Sequence, residues 1–199
     1  MLAFKHLGGD GLRITLTSVE SIAKAFVAEL TNARPEGPCV LIGYSFGGIV
    51  AFEMAQQLRT AGYDVRSLVL IDSYSPGLHE QAMRQGHSFY SGIKERLLHE
   101  VVEKRLGKGR ALSNRLNHRH IIDTYDQATR SYEARPCTGP MAVIKAAKSW
   151  GPVDLGWHAL AQGGFASQVM PCDHYDIVRA EHLPELAAII EALLEMSRC

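Results

Sequence analysis

Ser45 stands between two glycines in "IGYSFGG", at the end of an apolar run and the head of a helical one. The pentapeptide "GYSFG" fits G-x-S-x-G, the pattern of a serine held at a sharp strand-to-helix turn. Such a turn lifts the hydroxyl out of the backbone. Neighbouring chain comes close enough there that glycine is required. The helix start then aims amides, including that of Phe46, at the oxyanion that forms when the serine attacks a carbonyl. The plain alternative is a turn that happens to contain serine. The buried strand before, the helix after and the extra Gly48 for close helix packing favour the nucleophile.

A serine hydroxyl attacks poorly until a base takes its proton. In this arrangement the chain order is serine, acid, histidine. Of nine histidines, His174 in "PCDHYDIV" follows the last expected strand, where a loop would return to the serine. His158 and His182 are its nearest rivals. The acid must orient the imidazole and stabilise its charged form. Asp72 ends the strand after the elbow helix, so it emerges on the same sheet edge as Ser45. Its plain reading is a turn residue in "DSYSPG". Asp154, after the next expected strand, is the alternative. Asp173 and Asp176 flank the histidine, and sequence neighbours rarely orient one another's rings.

These residues need a frame. Thr17 and Glu20 form a capping box, and Val19, Ile22, Ala23, Phe26, Val27 and Leu30 recur at helical spacing, so 18–33 reads as an amphipathic helix. "CVLIG" from Cys39 shows no polar alternation, which suits a strand buried on both faces of a parallel sheet. Phe46 to Ala61 is helical, and Gly62 stops it. "SLVLI" (Ser67 to Ile71), "MAVIKA" (Met141 to Ala146) and "ASQVM" (Ala166 to Met170) are further strands, and 183–196 is a closing helix. Met1 to Phe4 is the end of a strand, short and abrupt, and "GGDG" (Gly8 to Gly11) is a loop. Alternating strands and helices give an α/β fold with a mostly parallel sheet. Residues 75–138 break the alternation with charge, helical pattern and glycines. They read as a helical insertion over one end of the sheet, within a single domain spanning 1–199.

The bulk composition excludes several classes. Hydrophobic residues make up 46% and charged residues 21%, enough to bury a core. A formal net charge of zero gives no reason to expect nucleic acid or an acidic membrane as partner. No apolar run spans a bilayer, and no secretory leader is recognisable. Cys39, Cys137, Cys172 and Cys199 lack metal-ligand or disulfide-scaffold spacing, so a reducing cytoplasm is the default.

The run "PEGPCVLIGYSFGGIVAFEMAQQLRTAGYDVRSLVLIDSYSPG" resembles the type I thioesterase domains that end non-ribosomal peptide and polyketide assembly lines. The shared details are Tyr44 before the serine, "FGG" after it, "AFEMA" in the next helix and an aspartate after that helix's strand. "YEARPCTGPMAVIKA", "GWHALAQGG" and "CDHYDIV" extend the likeness over nearly the whole chain. The resemblance implies an α/β-hydrolase fold with 75–138 as a lid. It implies transfer of an acyl or peptidyl chain from a carrier protein's phosphopantetheine thioester onto Ser45, then release by water or an internal nucleophile. It favours Asp72 over Asp154 and implies no cofactor or metal.

Such domains normally begin with further strands, one followed by a loop whose amide completes the oxyanion hole. Residues 1–40 supply neither, so the first strands are expected to be absent. The strand starting at Cys39 would then have an open edge, unless residues 1–5 slide in beside Cys39–Gly43. One lost oxyanion donor costs about 3 kcal/mol, so the expectation is a truncated sequence or a weakened enzyme. In the insertion, Phe89, Tyr90, Ile93, Leu97, Leu98, Tyr125 and Tyr132 either line an acyl channel or pack the lid, most of them packing. Arg110, Arg115 and Arg119 could meet an acidic carrier, though solvated surface charge is commoner.

Overall fold

A computed structural model describes residues 2–5, 8–33, 37–86 and 95–196, with backbone alone at 95–99 and 196. Four strands form one parallel sheet in chain order: β1 (Cys39–Tyr44), β2 (Val65–Ile71), β3 (Met141–Ala146) and β4 (Phe165–Met170). Around them lie α1 (Val19–Ala33), α2 (Phe46–Thr60), α3 (Pro76–Arg84), α4 (Glu95–Leu106), α5 (Asn114–Ser131) and α6 (Leu183–Met196). The expected α/β sheet is therefore present, with three helices between β2 and β3 among the described residues.

Alternation along β2 builds two cores, because successive side chains in a strand point to opposite faces. Leu68 and Leu70 join Leu41 and Val143 against α1 and α2, where Ile22, Phe52 and Leu58 are buried. Val69 and Ile71 join Ala142 and Ile144 on the other face, closed by Ile177 and by Leu186, Ile189 and Leu193 of α6.

Local chemistry places the helix ends. Gly62, at φ +85°, ends α2 while its N–H bonds Arg59 O at 3.0 Å. At the start of α1 the structure corrects the expected Thr17–Glu20 box. Ser18 Oγ accepts from Ser21 N at 3.2 Å, and Ser21 Oγ accepts from Ser18 N at 3.3 Å. The helix starts at Val19, so Ser18 holds the capping position and the reciprocal pair sits one residue later than the sequence pattern implied.

Two further expectations change. Residues 2–5 lie in no strand; instead Phe4 stacks on Phe26 of α1 with ring centroids 4.8 Å apart. Among the described residues nothing pairs with the outer edge of β1. β1 is also not buried on both faces, since Val40 and Ile42 are 39% and 49% exposed. The helix on that face, α6, packs against β4 and leaves the far side of the sheet open.

Between β2 and β3, α5 packs against α3, α4 and α2. Val102 and Leu106 of α4 pack with Leu112 and Leu116 in a small core of their own. The Gly8–Gly11 turn leans on this region: Asn117 Nδ2 donates to Gly8 O at 2.8 Å, and Arg13 pairs with Glu103 at 2.8 Å. Tyr132 is buried and donates to Glu53 Oε2 of α2 at 2.7 Å, so it packs the helices rather than lining a channel. Phe89, Tyr90 and Ile93 lie outside the described residues, as do the side chains of Leu97 and Leu98.

Candidate active site

The turn from β1 into α2 carries Ser45 at φ 54° and ψ −128°, a conformation that a residue with a side chain adopts only under strain. Bonds on both sides hold it: Ser45 N donates to Ile71 O and Gly48 N donates to Ser45 O, each at 2.9 Å. Two glycines make the turn possible. A Cβ on Gly43 would enter the backbone of Gly47 and Gly48, and one on Gly48 would meet the side chain of Ser73. At Gly47 the expectation of close chain does not hold, because nothing lies within 4 Å of a Cβ built there. The close approach in this elbow is made by Gly43 and Gly48. Phe46 opens α2, so its N–H is one of the amides that the helix start leaves without an intrahelical partner.

Asp72 follows the last residue of β2 and is fully buried, with φ 42°. Three donors converge on its carboxylate. Oδ1 accepts from Ala146 N at 2.9 Å, while Oδ2 accepts from Ser149 Oγ at 2.6 Å and from His174 Nδ1 at 2.8 Å. His174 lies in the loop after β4 and is 6% exposed. Tyr44, the residue before Ser45, fixes it from below. The phenol donates to His174 O at 2.7 Å, and the two rings stack with centroids 4.9 Å apart. A carboxylate accepting from Nδ1–H leaves the lone pair on Nε2, the tautomer that can take a proton.

The structure thus gathers residues 45, 72 and 174 at the C-terminal ends of β1, β2 and β4. The alternatives are engaged elsewhere. Asp154 accepts from Gly156 N at 3.2 Å in the turn that leads into Trp157. Asp173 Oδ1 accepts from Tyr175 N and Asp176 N, both at 3.0 Å, and Asp176 pairs with Arg179. His158 is exposed and packs edge-on to Phe165. Ser149 was not singled out from sequence. It lies 77 residues from Asp72 in an ordinary-looking turn, and no local pattern marks it.

Beside Ser45 is a cavity of about 20 Å³, room for one water. Phe46, Ile49, Tyr74 and Tyr125 give it apolar walls, and His79, Asp126 and Thr129 give it one polar side. Tyr125 of α5 closes it by stacking on Phe46, with centroids 4.1 Å apart and planes at 10°. Burial and the charge of Asp72 push the Tyr74 phenol up to about 12, so it stays neutral. His79 Nε2 bonds Asp126 Oδ1 at 2.8 Å, and Arg130 Nε donates to Asp126 Oδ2 at 2.8 Å. Burial alone would raise the Asp126 carboxyl. The His79 hydrogen bond and the Arg130 charge outweigh it and hold the group below its ordinary value. Of the basic residues considered for a partner, Arg119 is taken up by Asp123 at 2.8 Å, while Arg110 and Arg115 are exposed. No described helix is long and apolar enough to cross a membrane.

Residues 11–194 match the family described as the thioesterase domain. The chain belongs to that family. Among its relatives the matching stretch lies within much longer chains. This thioesterase domain is 27% identical to vanchrobactin synthetase VabF of Vibrio anguillarum over 93% of its own length and 7% of the synthetase. It is 40% identical to polyketide synthase PksR of Bacillus subtilis (strain 168) over 29% of its own length and 2% of the synthase. The chain therefore spans a small fraction of the curated relatives it matches. Its fold is similar to that of the NocB thioesterase domain solved in covalent complex with a fluorophosphonate nocardicin G analogue. That likeness has a TM-score of 0.65 at 23% identity and covers 97% of this chain and 81% of the other.

Proposed function

We propose that this domain is a serine thioesterase that releases an acyl or peptidyl chain from the phosphopantetheine arm of a carrier protein. The observation that carries the reading is the buried Asp72–His174 pair, stacked on Tyr44 beside the strained Ser45. In the first half-reaction Ser45 Oγ attacks the thioester carbonyl carbon. His174 Nε2 takes the hydroxyl proton, and the carbonyl oxygen becomes an oxyanion facing the Phe46 N–H. The C–S bond breaks, His174 returns the proton to the departing thiolate, and the chain is left as an ester on Ser45. In the second half-reaction water, or a nucleophile within the chain, gives its proton to His174 and attacks the ester carbonyl; the bond to Ser45 Oγ breaks, and His174 passes the proton to that oxygen. Asp72 keeps the imidazole in one tautomer and stabilises its charged form throughout. No cofactor or metal enters these steps. Cys39, Cys137 and Cys172 are free thiols, which suits a reducing cytoplasm.

The test is cleavage of acyl chains loaded on a phosphopantetheinylated carrier protein, followed by intact mass of the carrier. Unloading by wild type and its loss to background with Ser45→Ala is the expected result. Hydrolysis of small oxygen esters with no unloading of the carrier would instead assign a free-standing esterase.

A further inference from the structure

We propose that His79 is a specificity-determining residue that selects acyl chains bearing a hydroxyl group. The inference rests on Ser45 being the group that accepts the chain. His79 and Ser45 line the same cavity, and the histidine is 8% exposed. Its Nε2 is committed to Asp126 Oδ1. A carboxylate can only accept, so Nε2 carries the hydrogen, and in the neutral ring Nδ1 is left as a lone-pair acceptor. Among the described residues Nδ1 has no hydrogen-bond partner. Thr129 cannot supply one from its place on the wall, since its hydroxyl donates to Tyr125 O at 2.9 Å.

His79 lines the cavity beside the apolar walls of Phe46, Ile49, Tyr74 and Tyr125, and in this proposal Nδ1 is the acceptor that an acyl chain meets there. A hydrocarbon chain that displaces the Tyr125 ring and lies along this wall takes water from Nδ1 and leaves it unpaired. A chain with a hydroxyl at the right carbon restores the bond. Sites built around a buried polar group discriminate in this way against the analogue that lacks the matching group. The same geometry selects a hydroxyl over an ammonium. The Asp126 carboxylate already has a cation in Arg130 and a donor in His79 Nε2–H, so little remains to offset the desolvation of a second cation.

The experiment uses the full chain and matched N-acetylcysteamine thioesters, one straight-chain acyl group without a hydroxyl and a set with one hydroxyl at successive carbons. The readout is the ratio of kcat/KM between hydroxylated and plain chains. Wild type is expected to favour one hydroxylated isomer by about tenfold, the size of one neutral hydrogen bond. In His79→Phe, which keeps the ring shape and removes the acceptor, the ratio falls to about one whatever the absolute rate. Asp126→Ala, which removes the acceptor that holds Nε2–H, also lowers the ratio and serves if His79→Phe does not fold. A wild-type ratio of about one at every carbon, or a preference that survives both variants, overturns the inference. Fluorophosphonate labelling separates the two failures. If Ser45 labels and the ratio is flat, only the role of His79 falls. If Ser45 does not label, the acyl-enzyme reading falls and this inference with it.

Discussion

Asp72→Asn is expected to lower kcat for thioester cleavage by about 10⁴-fold while the domain stays folded. The geometry dictates how. Asparagine must place its NH2 where one of the carboxylate oxygens was. At the Oδ1 position it would face the Ala146 N–H, a backbone donor that cannot turn away. At the Oδ2 position it faces Ser149 Oγ and His174 Nδ1. The Ser149 hydroxyl can rotate and accept. His174 can accept only by moving its proton to Nε2, and that nitrogen is then no longer a base for Ser45. The loss should fall on kcat, with KM little changed, because Asp72 is fully buried behind His174 and does not meet the substrate. Steady-state kinetics beside circular dichroism checks it. A loss of less than about tenfold in folded protein would mean that Asp72 does not set the tautomer of the working base.

The second large effect concerns stability. Gly43→Ala is expected to destabilise the domain by more than about 3 kcal/mol, a large part of the 5–15 kcal/mol typical of a domain. The new methyl group would enter the carbonyl of Gly47 and the Cα of Gly48. Both are backbone atoms of the first turn of α2, so no rotamer change relieves the clash, and β1 and α2 must part. Gly47→Ala should do the opposite. Its Cβ meets nothing within 4 Å, and alanine in a helix gains up to about 1 kcal/mol over glycine. Urea unfolding of the two variants decides. Equal destabilisation would show that the elbow is tight at both glycines, contrary to this geometry.

The contrast between these glycines marks what sequence could reveal. The motif showed that the corner is crowded, but not which glycine meets the crowding, since that depends on how α2 lies across β1. Strand β3 was legible to the residue, because "MAVIKA" follows Pro140 and is apolar but for Lys145. The capping pair of α1 lies one residue later than the Thr17–Glu20 pattern implies, because Thr17 and Ser18 both suit the capping position and only the helix start chooses between them. The exposure of Val40 and Ile42 was hidden, since an unbroken apolar strand looks the same at an edge as in the centre. Asp72 stood out because it ends a buried strand. Ser149, His79 and Asp126 did not, because their partners lie 77 and 47 residues away and their neighbours have no pattern. Contacts of that kind belong to the topology of the sheet and the helices folded over it, and only the assembled chain displays them.

The central claim is that Ser45 is an activated nucleophile. The most direct measurement is intact mass of the wild-type chain after incubation with an alkyl fluorophosphonate, beside Ser45→Ala. The geometry predicts one adduct on wild type, mapped to the peptide containing Ser45, and none on Ser45→Ala. Folded wild-type protein with no adduct, or an adduct that persists in Ser45→Ala, would contradict the account.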